Sequence, residues 1–123
     1  MTNPIRPTIV EGKQVQFFEL HPGIRAQRLV TQAKHGARLS LSVVEFDPGK
    51  GEPWHDHQDK DTVAAIIEGN GVYWVMEPDG PKSVECGAGD AVFSPAWSCH
   101  KMTNPHGKPL KVVASQHPSA TGG

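Results

Sequence analysis

The chain has 123 residues, a formal net charge of −1 with histidine neutral, and 13 glycines and 11 prolines scattered between short apolar runs. That length predicts one domain that buries roughly two-thirds of the surface its unfolded chain would expose. No stretch concentrates Lys or Arg, which argues against a nucleic-acid or anionic-membrane partner, and the longest apolar run, residues 63–67, is far too short to cross a bilayer. Cys86 and Cys99 read as reduced thiols in a domain large enough to fold without staples. The first residues lack the charged-then-apolar pattern of a signal peptide, so a cytoplasmic location is the expectation.

Period-two alternation with β-branched and aromatic enrichment predicts strands, in chain order, over residues 14–20, 24–31, 38–46, 62–68, 72–76, 83–86, 91–94, 98–102 and 110–116. Turn signals separate them: His21-Pro22-Gly23, Asp47-Pro48-Gly49, Gly69-Asn70-Gly71, Pro78-Asp79-Gly80 and Gly87-Ala88-Gly89. The Asn70-Gly71 pair suits a two-residue hairpin that needs positive φ. No apolar 3.6-residue period persists for three turns, so no substantial helix is expected. Residues 1–13 read as a loose N-terminal arm, 14–118 as the folded domain and 119–123 as a flexible tail. Short strands in this number imply an all-β domain, either a double-sheet jelly roll or a closed barrel.

His55 and His57, one residue apart on extended chain, project to the same side. A third histidine from a distant strand, His100, can complete one face of a metal coordination sphere and leave open positions for substrate. Neutral imidazole suits iron, zinc, copper or nickel.

Each histidine group has its own frame. The first runs Gly49, five residues, His55, one residue, His57, four residues, Thr62, six residues, Gly69. The second runs Gly89, five residues, Pro95, one residue, Trp97, two residues, His100, three residues, Asn104. Over residues 49–104 this pair of motifs resembles the cupins, a family of small β-barrels. The resemblance implies a single-domain double-stranded β-helix (a jelly-roll barrel), one divalent metal ion on His55, His57 and His100, a small-molecule substrate and a homodimer.

Two positions depart from the family pattern. Thr62 stands where the first motif usually carries a metal-binding Glu, and Trp97 where the second usually has Gly. If Thr62 faces the barrel interior with Ala64 and Ile66, alternation turns Asp61 outward with Val63 and Ala65. A bulge at Asp61 is the remaining route to a carboxylate ligand, so a three-histidine site is expected over a histidine–carboxylate one. A glycine-dependent backbone shape at Trp97 is not assured.

Three neutral imidazoles leave the charge of a divalent ion uncompensated, so the open positions favour an enolate, carboxylate or thiolate. The arrangement is similar to the three-histidine iron oxygenases, such as the thiol dioxygenases and the diketone-cleaving dioxygenases. The run His55-Asp56-His57-Gln58-Asp59 is similar to the thiol dioxygenases locally. The resemblance implies an Fe(II) dioxygenase of a small chelating anion, with Arg28 where thiol dioxygenases place the arginine for the substrate carboxylate. The planar guanidinium fork binds a carboxylate through two parallel hydrogen bonds. Val43, Ala64 and Ile66 are expected on the apolar wall.

The first alternative is a redox-inert isomerase or lyase holding Zn, Mn or Ni. It needs a proton-transfer residue, and His117, sharing strand parity with Val113 and Ser115, is the candidate from spacing; the competing reading of His117 is a solvated terminal histidine. The second alternative is a non-catalytic module that binds a small ligand by shape. His21, His35 and His106 neighbour Pro or Gly in turns and are assigned no role. Asn104 is expected to hold a strand end by local hydrogen bonds, and Cys99 to face away from His100.

Overall fold

A computed structural model describes residues 5–119. Its strands are β1 (Phe18–His21), β2 (Ile24–Val30), β3 (Leu41–Phe46), β4 (Asp61–Glu68), β5 (Asn70–Glu77), β6 (Gly80–Gly87), β7 (Ala91–Ser94), β8 (His100–Thr103) and β9 (Leu110–His117). A short 3-10 turn, Gly12–Gln14, and a single helical turn, α1 (Gln32–His35), complete the elements. All pairings are antiparallel, in a six-stranded sheet ordered β1-β2-β3-β9-β4-β7 and a three-stranded sheet ordered β6-β5-β8. The architecture is the expected all-β jelly roll. Among the described residues no helix is long and apolar enough to cross a membrane.

Alternation decides what each strand buries. Along β4, Thr62 and Ile66 are buried while Asp61, Val63, Ala65 and Ile67 are exposed. The core between the sheets gathers Ile24, Phe46, Ile66, Met102, Leu110 and Val112. Removing each large side chain of this set from water contributes roughly 1.5–3 kcal/mol. Asn104, with no exposed surface, closes one end of the core. Its Nδ2 donates to the Lys108 carbonyl (2.7 Å), the local bond expected, and also to the carbonyls of Phe46 (3.3 Å) and Asp47 (3.3 Å), a longer-range tie to β3 that was not expected.

Two local expectations are corrected. Residues 14–17 form no strand: Gln14 and Val15 close the 3-10 turn, with the Val15 N–H on the Gly12 carbonyl (3.0 Å), and the Val15 carbonyl is taken by Nε2 of Gln27 (2.9 Å) instead of by a ladder. Asn70-Gly71 is no hairpin turn: β4 and β5 lie in different sheets, and Asn70 and Gly71 already pair with Gly87 and Cys86. The left-handed residue at that bend is Gly69 (φ +83), where a Cβ would stand 2.2 Å from the Pro109 carbonyl oxygen.

The folded region also reaches one residue further than predicted. Ser119 is buried, with its N–H on the Arg38 carbonyl (2.8 Å) and its Oγ accepting from the Gln32 N–H (3.0 Å). The rest of the expected tail, residues 120–123, and residues 1–4 of the expected arm lie outside the described residues.

Candidate metal centre

The segment leading to the histidine pair runs antiparallel to β8. His55 and His100 exchange both backbone hydrogen bonds, at 3.1 and 2.9 Å, and Gly51 pairs with Thr103. Between them Pro53 has no N–H to give the ladder. Glu52 fills the gap twice: its backbone N–H donates to the Met102 carbonyl (3.0 Å), and its Oε1 accepts the Met102 N–H (3.0 Å). His55 and His100 are thereby fixed side by side, and His57 follows on the same side of the chain.

The three rings form a nearly equilateral group, with centroids 4.9, 4.7 and 4.9 Å apart. One nitrogen from each lies within 4.8 Å of the others, close enough for a single ion to be held by all three. Each Nδ1 has a partner behind it: the Pro53 carbonyl for His55 (2.8 Å), the Ser98 carbonyl for His100 (3.0 Å) and Thr62 Oγ1 for His57 (2.7 Å). A carbonyl only accepts, so His55 and His100 carry their proton on Nδ1 and keep the Nε2 lone pair free; the Thr62 hydroxyl can accept from His57 in the same way. Backing of this kind orients imidazole ligands and raises their basicity toward a metal.

Electrostatics favour the ligating form. Burial first, then the neighbouring His100 and His55, push the His57 pKa down to about 4. Burial also lowers that of His100. Three imidazole nitrogens this close together fit a divalent transition ion.

Neither residue in question at the missing glutamate joins this cluster. Thr62 backs His57, as above. Asp61 is exposed, as alternation predicts, and its Oδ1 accepts the Ala96 N–H at 2.9 Å, which anchors the loop before His100. In that loop Trp97 takes the left-handed backbone (φ +65) despite its side chain, and its N–H donates to the Gln58 carbonyl at 2.7 Å.

His55, His57 and His100 open onto a cavity of about 280 Å³ between the sheets. Leu20, Val44, Ala64, Val92 and Val112 contribute apolar wall, and Arg28, Ser42, Glu52, Tyr73 and Gln116 polar wall. Arg28 donates from Nη1 to Ser42 Oγ (3.3 Å) and lies over the Phe18 ring, 5.2 Å from its centroid. Arg28 thus shares the cavity with the histidines.

His117 does not. It is exposed and follows the outward parity of β9, while Val112, Ala114 and Gln116 take the cavity side. Two wall residues are also corrected: Val44, not Val43, lines the cavity, and Ile66 packs in the core instead of on the wall. Three titratable cavity residues were not foreseen, Tyr73 on β5 among them. His21 ends β1 on the cavity wall, although its Pro-Gly neighbours suggested a plain turn. Glu52 reaches the wall because Pro53 disrupts the ladder, and burial raises the pKa of its carboxyl.

The cupin domain family profile matches residues 42–115 of this chain. The uncharacterized protein MJ1618 of Methanocaldococcus jannaschii is 27% identical over 114 residues, covering 93% of this chain and 81% of that protein. Among solved structures, KdgF from Halomonas sp. superposes with a TM-score of 0.80 at 16% identity, covering 94% of this chain and 97% of that one. An RmlC-like cupin from Shewanella frigidimarina gives 0.77 at 20% identity, with 94% and 95% covered. A variant of oxalate decarboxylase from Bacillus subtilis gives 0.76 at 16% identity, covering 93% of this chain but 31% of that one. At these identities the structural likeness establishes the fold alone.

Proposed function

This chain belongs to the cupin domain family, and from that premise we propose that it is an Fe(II) dioxygenase acting on a small chelating anion. The observation that carries the reading is a ligand cluster of three imidazoles with no carboxylate in it. His55, His57 and His100 would hold the ion, and its uncompensated charge would draw an anionic substrate. When bound, Fe(II) supplies the redox chemistry with O₂ that the side chains lack.

The chain's own residues do the rest. Pro53, Ser98 and Thr62 fix the three rings from behind. Leu20, Val44, Ala64 and Val92 give the substrate an apolar wall. Arg28 presents its guanidinium to a second acidic group of the substrate, held in place by Ser42.

The test is O₂ uptake by iron-loaded protein offered β-diketones, thiols and hydroxylated aromatics in turn. Consumption with one class and none with zinc-loaded protein is the expected result; no uptake with any class rejects the dioxygenase. A ligand affinity indifferent to metal removal would identify a binding module instead.

One observation favours a second reading, a redox-inert isomerase or lyase using Zn, Mn or Ni. Such chemistry needs a proton-transfer group on the wall, and Glu52 stands there although His117 does not. Turnover that persists without oxygen is its mark.

A further inference from the structure

We propose that Glu52 is a catalytic residue of this cavity: its carboxylate takes the proton from an acidic O–H, S–H or C–H group of the substrate as that group approaches the three imidazoles. The inference rests on the metal-centre reading above but not on the choice between oxidative and redox-inert chemistry. In the step, the bond from substrate to hydrogen breaks and its electron pair stays on the substrate as oxyanion, thiolate or enolate. The proton forms a new O–H bond on Glu52.

Position is the first argument. Glu52 is the only acidic side chain on the cavity wall among the described residues, and it lies outside the histidine cluster itself. A carboxylate beside a metal site, yet not in it, is free to exchange a proton there. Its Oε1 is fixed by the Met102 N–H at 3.0 Å, while its Oε2 makes no hydrogen bond to any other described residue. One oxygen sets the orientation, and the other is available to a ligand. A general base must come within hydrogen-bond reach of the proton it removes, so this fixed geometry is the primary requirement.

Elimination is the second. The Nε2 atoms of His55, His57 and His100 are committed to the ion, and the guanidinium of Arg28 accepts no proton. The Tyr73 hydroxyl is engaged with Ser94, and a phenol is already protonated at neutral pH. His21 is the remaining acid–base side chain on the wall, and the E52Q comparison below separates it from Glu52. Burial, the largest influence on Glu52, makes its carboxylate more basic than an exposed one. That raises its competence as a base near neutral pH.

The bland alternative is that Glu52 only completes the ladder that Pro53 interrupts. Glu52→Gln separates the two, because the amide oxygen of Gln can still accept the Met102 N–H but cannot take a proton. The probe is 4-nitrocatechol, a chelator that must lose protons to bind a metal and whose colour reports that loss. Zinc-loaded wild-type protein and E52Q are titrated with it by calorimetry near neutral pH, in two buffers of different ionisation enthalpy, to count protons released. The expected result is comparable zinc content in both proteins and about one more proton released to buffer per probe bound by E52Q. Equal proton release overturns the proposal.

Infrared difference spectra of wild-type protein alone give an answer that does not depend on the variant folding. Probe binding should bring up the carbonyl stretch of a newly protonated carboxyl group, and its absence overturns the proposal. Failure of zinc-loaded wild-type protein to bind the probe at all removes the metal-centre reading as well. Tight binding with an unchanged proton count removes the role of Glu52 alone.

Discussion

Thr62 Oγ1 lies 2.7 Å from Nδ1 of His57, so a residue standing where a cupin usually places a ligand glutamate instead braces a candidate ligand from behind. Partners of this kind typically carry a 10–100-fold share of metal affinity. Thr62→Val keeps the shape and removes the acceptor; it should weaken zinc binding by roughly that factor, while Thr62→Ser should retain most of it. Competition with a chromophoric chelator reads both. Equal affinity in wild type and T62V would show that the contact does not tune the ligand.

Loading the centre should stabilise the fold, because an ion that binds only the folded arrangement shifts unfolding by mass action. At a free ion concentration near 100 times Kd the gain is about 2.7 kcal/mol, on the order of 10 °C in Tm for a domain of this size. His100→Ala removes one corner of the triangle and should abolish the ion-dependent shift. Thermal melts of each protein with chelator and with added zinc check this; an undiminished shift in H100A would mean that the ion sits elsewhere.

The parts of this site that were legible in the sequence are those governed by strict alternation. His55 and His57 share a side because they are one residue apart, and Thr62 points inward because Asp61 does not. Alternation fails where a ladder is interrupted. Glu52 has the wrong parity for the cavity, yet Pro53 removes a backbone donor and the chain turns the carboxylate in. His117 fails for a different reason: parity groups it correctly with Val113 and Ser115, but both Val112 and Val113 are apolar, so composition does not say which set faces inward. The Asn70-Gly71 pair misleads because the dipeptide rule assumes a hairpin within one sheet, whereas the chain passes between two.

Acid should destabilise the metal-free protein before it titrates ordinary carboxylates. The His57 pKa is depressed to about 4 in the fold, against about 6.5 for a free imidazole. Between those values the unfolded chain binds more protons than the folded one, so unfolding free energy rises with pH there and falls as pH drops through the interval. The lowered pKa of His100 acts in the same direction. Urea midpoints in chelator should therefore be lower at pH 5 than at pH 7. In H57A this part of the slope should shrink, and an identical slope would dissociate the effect from the imidazole cluster.

Trp97 holds φ at +65 with 69% of its surface exposed, so its backbone is strained while its ring packs little. The left-handed conformation costs an L residue roughly 1–2 kcal/mol, and glycine is spared that cost. Against this, glycine loses about 0.4–1 kcal/mol through its freer unfolded chain. Trp97→Gly should consequently be neutral or stabilising by up to about 1.5 kcal/mol. Trp97→Ala, which deletes the ring but keeps the strain, should show no such gain. The Trp97 N–H bond to the Gln58 carbonyl and the Asp61 bond to the Ala96 N–H use backbone donors that both variants preserve, so the loop before His100 keeps its anchors. Urea denaturation of the two variants measures the difference. A W97G protein less stable than W97A would mean that the backbone at this position is not strained.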